Sequence, residues 1–162
     1  MAKVQIVMGS QSDMPVVSKT IDKLKEFGVE VCPMVCSAHR TPERAAEFAR
    51  NARAEGVDVI IAAAGKAAHL PGVLAAFTTL PVIGLPIKSS FMDGLDSLLS
   101  IVQMPSGVPV ATVGVNAAEN AAILAVQMIS LKDKVLEQKL DKMKQDMAEK
   151  VIKSDEEVKI KY

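Results

Sequence analysis

Large rings are almost missing from this 162-residue sequence: four Phe, one Tyr and no Trp, 3% aromatic in all. Its core must therefore be filled by aliphatic side chains, Met and Ala, and elements made of such small residues have to approach one another closely to reach protein packing density. Net charge is also absent, with 19 basic residues against 19 acidic ones. No overall basic field exists to attract nucleic acid or an anionic membrane surface, so neither is expected as a partner. No apolar run approaches the ~20 residues that span a bilayer. The stretch after Met1-Ala2-Lys3 is short and lacks a secretory cleavage pattern, so a cytoplasmic location is expected. Cysteine is scarce: Cys32 and Cys36 only. On a predicted strand their four-residue spacing spans about 13 Å, beyond the roughly 7 Å Cα separation a disulfide tolerates. They are read as free core thiols, with a CxxxC metal pair as the alternative.

Hydrophobic residues make up 49% of the chain, within the range of folded proteins. The length is that of one domain, residues 1–162, with no repeat, low-complexity linker or second unit. Short apolar runs alternate with helical periodicity. Val4–Met8 is a strand. Apolar residues at Val16, Val17, Ile21, Leu24 and Phe27 mark a helix that Gly28 closes. Val29–Val35 is the second strand, and Thr41-Pro42 caps and opens a helix reaching about Glu55. Val57–Ala62, Pro81–Leu85 and Pro109–Val113 are further strands, with helices through Phe77 and over Phe91–Val102 between them. Asn116 is expected to cap an Ala-rich helix ending near Ile129, with Glu119 completing a capping box.

This alternation predicts an α/β protein: a three-layer α/β/α sandwich around a parallel sheet of flavodoxin-like order, with an extended C-terminal helix. That helix covers about 132–152, and Leu136, Leu140, Met143, Met147 and Val151 form its apolar stripe. The stripe fits packing on its own domain or on a neighbouring subunit. Lys153–Tyr162 is expected to fray.

Open α/β sheets bind ligands beyond the carboxyl ends of their strands, where strand order reverses. The loops after the first three strands all carry unusual chemistry. In Gly9-Ser10-Gln11-Ser12-Asp13, small residues ahead of a helix leave N–H groups free for an anion, Ser10 and Ser12 add hydroxyls, and Asp13 suits sugar hydroxyls. Together they fit a ribose phosphate; plain N-capping by Ser12 or Asp13 is the alternative. Ser37-Ala38-His39-Arg40 places a titratable ring beside a planar cation suited to phosphate or carboxylate, unless His39 is only a surface or capping residue. In Ala62-Ala63-Ala64-Gly65-Lys66-Ala67-Ala68-His69-Leu70-Pro71-Gly72, small side chains let backbone approach a ligand; a tight packing site with an incidental His69 is the other reading. The flavodoxin-like order would bring these loops together. No P-loop, GxGxxG or GxSxG pattern is present, and two His without further ligands make a poor metal site, so no metal is expected.

Several runs together resemble the N5-carboxyaminoimidazole ribonucleotide mutases: Met8 to Asp13 (MGSQSD), Ser37 to Pro42 (SAHRTP), Ala67 to Gly72 (AAHLPG), Gly94 to Leu98, Ser100 to Pro105 and Gly107 to Val110. The resemblance runs from the first strand to the C-terminal helix. Arg40 and the AAHLPG run are similar to the mutase branch rather than the branch that carboxylates aminoimidazole ribonucleotide directly. Ala63 and Lys66 stand where that family's third loop commonly has glycine.

The resemblance implies transfer of a carboxylate from N5 to C4 of the ribonucleotide in purine biosynthesis, through CO2 held in a closed, dry pocket and without metal, ATP or organic cofactor. It makes His39 the proton shuttle and gives the phosphate to Ser10 and Arg40 and the ribose to Asp13. It sets His69 and the Ala64–Ala68 backbone around the base and carboxylate, with Ser12, Ser37, Ala38 and Leu70 completing the substrate site. It also implies a homo-octamer whose C-terminal helices pack on neighbours, and functional coupling to the enzyme that makes N5-carboxyaminoimidazole ribonucleotide. Direct carboxylation, a non-catalytic nucleotide-binding module and a purely structural protein are the alternatives.

Overall fold

A computed structural model describes residues 1–162. Strands β1 (Lys3–Met8), β2 (Glu30–Val35), β3 (Val59–Gly65), β4 (Val82–Ile87) and β5 (Ala111–Thr112) form one sheet in the order β2-β1-β3-β4-β5. Every pairing is parallel. The expected sandwich and strand order are both present.

The period-two alternation of the strands divides the core in two. Val4, Ile6 and Met8 of β1, with Val59, Ile61 and Ala63 of β3, face one layer. There they meet α1 (Met14–Glu26), α5 (Ala118–Ser130) and Leu136 of α6 (Lys134–Lys161). Val7, Ile60, Ala62 and Ala64 face the other layer. It is covered by α2 (Pro42–Asn51), α3 (Leu70–Phe77) and α4 (Leu95–Val102). Side chains are small where helices press hardest on the sheet. At Gly84 in β4, a Cβ would collide with Ile101 Cγ2 of α4. No helix is long and apolar enough to cross a membrane.

Several local expectations need correction. Lys153–Tyr162 does not fray: α6 continues to Lys161. Nothing after Asp133 breaks a helix, Asp133 Oδ1 caps the first turn by accepting from the Val135 and Leu136 N–H groups, and Lys159 and Lys161 complement the dipole at the far end. Asn116 does not cap α5. It adopts φ +56°, which Asn tolerates better than most residues, and its side-chain Oδ1 accepts from the Lys88 N–H at 2.9 Å. Glu119 makes no capping box and lies 3.6 Å from Lys23 Nζ instead. Thr41 does not cap α2; its hydroxyl donates to the Ser37 carbonyl. Cys36 is buried just beyond β2, whereas Cys32 is only half-buried, so one of the two thiols belongs to the core.

The α6 stripe is divided. Leu136 is buried, and Leu140 and Met143 pack against the same core, while Met147 and Val151 are exposed.

Candidate active site

The loops after β1, β2 and β3 converge at the carboxyl edge of the sheet around a cavity of about 800 Å3. Ser10, Ser12, Asp13, Ser37, Ala38, His39, Arg40, Ala64, Gly65, Lys66, Ala67, His69 and Leu70 all line it. Ala68 does not: its side chain is buried in the core below the loop. Gly9 of the first loop lines it too, and so do Ile87, Lys88 and Ser89, which were not expected. The signal for those three lay in the strand order, because β4 ends beside β3 on the same edge.

The first loop is a reciprocal cap. Ser10 Oγ accepts from the Ser12 N–H at 3.3 Å, and Asp13 Oδ2 accepts from the Ser10 N–H at 3.3 Å, over a 3-10 turn at Gln11–Asp13. The capping alternative is thus realised, with Ser10 as the cap rather than Ser12 or Asp13. Ser12 Oγ donates to or accepts from Ser10 Oγ at 2.9 Å. Asp13 is buried, and desolvation raises its pKa above the ordinary 3.8, partly offset by the Ser10 N–H.

The second loop is tied by Thr41, which donates to the Ser37 carbonyl at 2.8 Å and accepts from the Ser37 N–H at 3.1 Å. Ser37 Oγ accepts from the Arg40 N–H at 3.2 Å. His39 and Arg40 are exposed, Ala38 packs partly against the core, and the Arg40 guanidinium has no carboxylate partner.

The third loop leaves β3 at Gly65, where a Cβ would sit 3.4 Å from the Ile87 carbonyl oxygen. Lys66 follows with φ +55°, and the chain enters α3 with His69 at its N-cap position. His69 is not isolated. His39 Nε2 and His69 Nδ1 are 2.7 Å apart, with the rings edge to face at 82°. One nitrogen of this pair must donate and the other accept, so each ring restricts the tautomer of the other. Nδ1 of His39 and Nε2 of His69 remain free to meet a ligand. Both rings are exposed, so the single chain leaves the site open rather than closed.

Arg40, Lys66 and Lys88 face one lining carboxylate, Asp13. Lys88 Nζ is occupied by Asp93 Oδ1 at 3.0 Å. Cations outnumber acids, hydroxyls and N–H groups are gathered at the first two loops, and two coupled imidazoles stand at the rim. That arrangement can bind a multiply charged anion and move a proton on it.

The family model for AIR carboxylase matches residues 3–150. The chain belongs to the AIR carboxylase family. Curated relatives in that family include an N5-carboxyaminoimidazole ribonucleotide mutase of Pyrococcus abyssi, 58% identical over 91% of this chain and 84% of its own length. A phosphoribosylaminoimidazole carboxylase of Saccharomyces cerevisiae is 50% identical over 98% of this chain, which spans only 26% of that protein. Among solved structures, Treponema denticola PurE superposes with a TM-score of 0.88 at 32% identity, covering 97% of this chain and 98% of its own.

Proposed function

We propose that this cavity converts N5-carboxyaminoimidazole ribonucleotide into 4-carboxy-5-aminoimidazole ribonucleotide, the activity of a mutase in purine biosynthesis. The observation that carries the site assignment is the His39–His69 pair, held at 2.7 Å on the rim of a cavity with excess cations. Ser10 and Arg40 take the 5′-phosphate, Arg40 through its planar fork. Asp13 accepts from ribose hydroxyls. Lys66, Ala67 and His69 border the base, with Ser12, Ser37, Ala38 and Leu70 completing the walls.

In the reaction the bond from N5 to the carboxyl carbon breaks, its electron pair stays on N5, and CO2 is released within the site. His39 supplies the proton that N5 gains. C4 then attacks CO2, and the proton lost from C4 returns to His39. One group serves as acid and then base because the overall change is an isomerisation. His69 acts through His39, by fixing which ring nitrogen carries the proton.

Direct carboxylation is the second reading, favoured by the family's description and by the name of the yeast relative. Spectrophotometric assays of N5-carboxyaminoimidazole ribonucleotide alone, and of aminoimidazole ribonucleotide with bicarbonate, separate the two. Rapid 4-carboxy product from the first substrate without bicarbonate is expected. Rapid product only in the second assay would establish the carboxylase.

The same reading includes a homo-octamer, a cytoplasmic setting and functional coupling to the enzyme that supplies the substrate. Support for self-association comes from the α4 face Leu95, Leu99 and Val102, spaced on one side of the helix and exposed, and from Met147 and Val151 on α6. Sedimentation at micromolar concentration is expected to give one species of eight chains; a monomer would overturn the assembly.

A further inference from the structure

Resting on the mutase reading, we propose that Lys66 pairs with the migrating carboxylate and favours recapture of CO2 over its escape. Lys66 has φ +55°, a region that costs a residue with a Cβ about 1 kcal/mol relative to glycine. Neither packing nor an internal bond accounts for a lysine here: the residue is exposed and makes no ion pair or side-chain hydrogen bond. It does line the cavity.

The charges of site and substrate then match by place. The substrate carries a phosphate at one end and a carboxylate on its base. Of the lining cations, Lys88 is engaged by Asp93. Arg40 lies in the β2–α2 turn, where its N–H donates to Ser37 Oγ, and the mutase reading gives it the phosphate. Lys66 shares its loop with His69, three residues on, and His69 touches the proton-shuttling ring. The uncommitted ammonium is therefore on the base side of the site.

An ammonium there stabilises the carboxylate on N5 and on C4, but not neutral CO2. Relative to both bound carboxylates, the intermediate of aminoimidazole ribonucleotide plus CO2 is raised. The cation also stabilises the negative charge that develops on the CO2 oxygens as C4 attacks. Recapture is accelerated relative to escape, and less free aminoimidazole ribonucleotide is lost per turnover.

The experiment measures that loss: free aminoimidazole ribonucleotide formed per 4-carboxy product, with K66G, K66Q and K66R beside the wild type. K66G relaxes the backbone, so its Tm should equal or exceed that of the wild type. K66G and K66Q are expected to raise the loss ratio about tenfold, the scale of one hydrogen bond to a charged group, while K66R restores it. If the wild type isomerises and K66G and K66Q lose no more than it does, the role of Lys66 is overturned while the function stands. If K66Q leaks and K66R leaks equally, charge is not the cause and the proposal also fails. A wild type that does not isomerise overturns the function and this role together.

Discussion

Replacing His69 by alanine tests whether the two histidines act as one unit. The contact removed is a single 2.7 Å hydrogen bond between exposed rings. A bond of this kind contributes about 0.5–1.5 kcal/mol net. If that energy orients His39 in the transition state, kcat falls roughly two- to thirteen-fold. KM should change little, because phosphate and ribose are held by other loops. Asn at 69 places an amide near the lost Nδ1 and should recover most of the rate. His39→Asn removes the proton shuttle itself and should cost roughly 10²–10⁴ in kcat while ligand affinity in calorimetry persists. The decisive variant is the double one. Acting through His39, His69 has nothing left to orient once His39 is gone, so the double variant should turn over as slowly as His39→Asn alone. Steady-state absorbance assays of the four proteins give the cycle. Equal losses from His69→Ala on both backgrounds, or a loss confined to KM, would refute the positioning role.

Asp13→Asn keeps an oxygen for the Ser10 N–H but removes a buried charge. The folded-state pKa of Asp13 is raised, so ionisation costs stability. That cost is absent well below 3.8, grows as pH rises from there toward the raised value, and is constant above it. The variant should therefore gain Tm over the wild type across that rise, and bind ribonucleotide roughly tenfold more weakly at neutral pH; a flat Tm difference across pH would contradict the burial argument. Gly84→Ala puts a methyl against Ile101 and within 3.1 Å of Val110 Cγ1. Overpacking of about 1–3 kcal/mol should lower Tm by roughly 2–12 °C, and an unchanged Tm would mean α4 can move off the sheet freely.

The layers and the three loops were legible because they rest on patterns that local chemistry enforces, whereas the strand order followed only from the flavodoxin-like precedent. Continuous apolar runs such as Val59–Ala64 can be satisfied only between two helical layers, and small polar residues between strand and helix leave little choice of edge. What the sequence hid depended on distant partners. Asn116 looks like a cap until β4 ends beside it and Lys88 presents its N–H. Lys88 and Ser89 carry no motif of their own and enter the site only because β4 follows β3 in the sheet. The contact between His39 and His69 joins loops 30 residues apart, and no local spacing encodes it. Lys153–Tyr162 reads as polar tail, yet propensity and end charges suffice to carry a helix that is already nucleated and docked at Leu136.

Retaining CO2 calls for a closed pocket, and in the single chain both histidines face solvent. Two devices can limit its escape. One is electrostatic: the Lys66 ammonium speeds recapture of CO2 within each chain. The other is steric: Phe91 and Met92 lie exposed just beyond Ser89, which lines the cavity, and they continue into the apolar face of α4. In the assembly proposed above, a second copy seated on that face would cover these side chains beside Ser89. The two devices differ in their dependence on concentration. Leakage governed by Lys66 alone stays constant on dilution, whereas leakage limited by a neighbouring chain rises as the assembly dissociates. Measuring the loss ratio across a dilution series, for the wild type and K66G in parallel, assigns each share. A ratio that climbs on dilution in both proteins, with a constant factor between them, means that the lysine and the neighbour act independently.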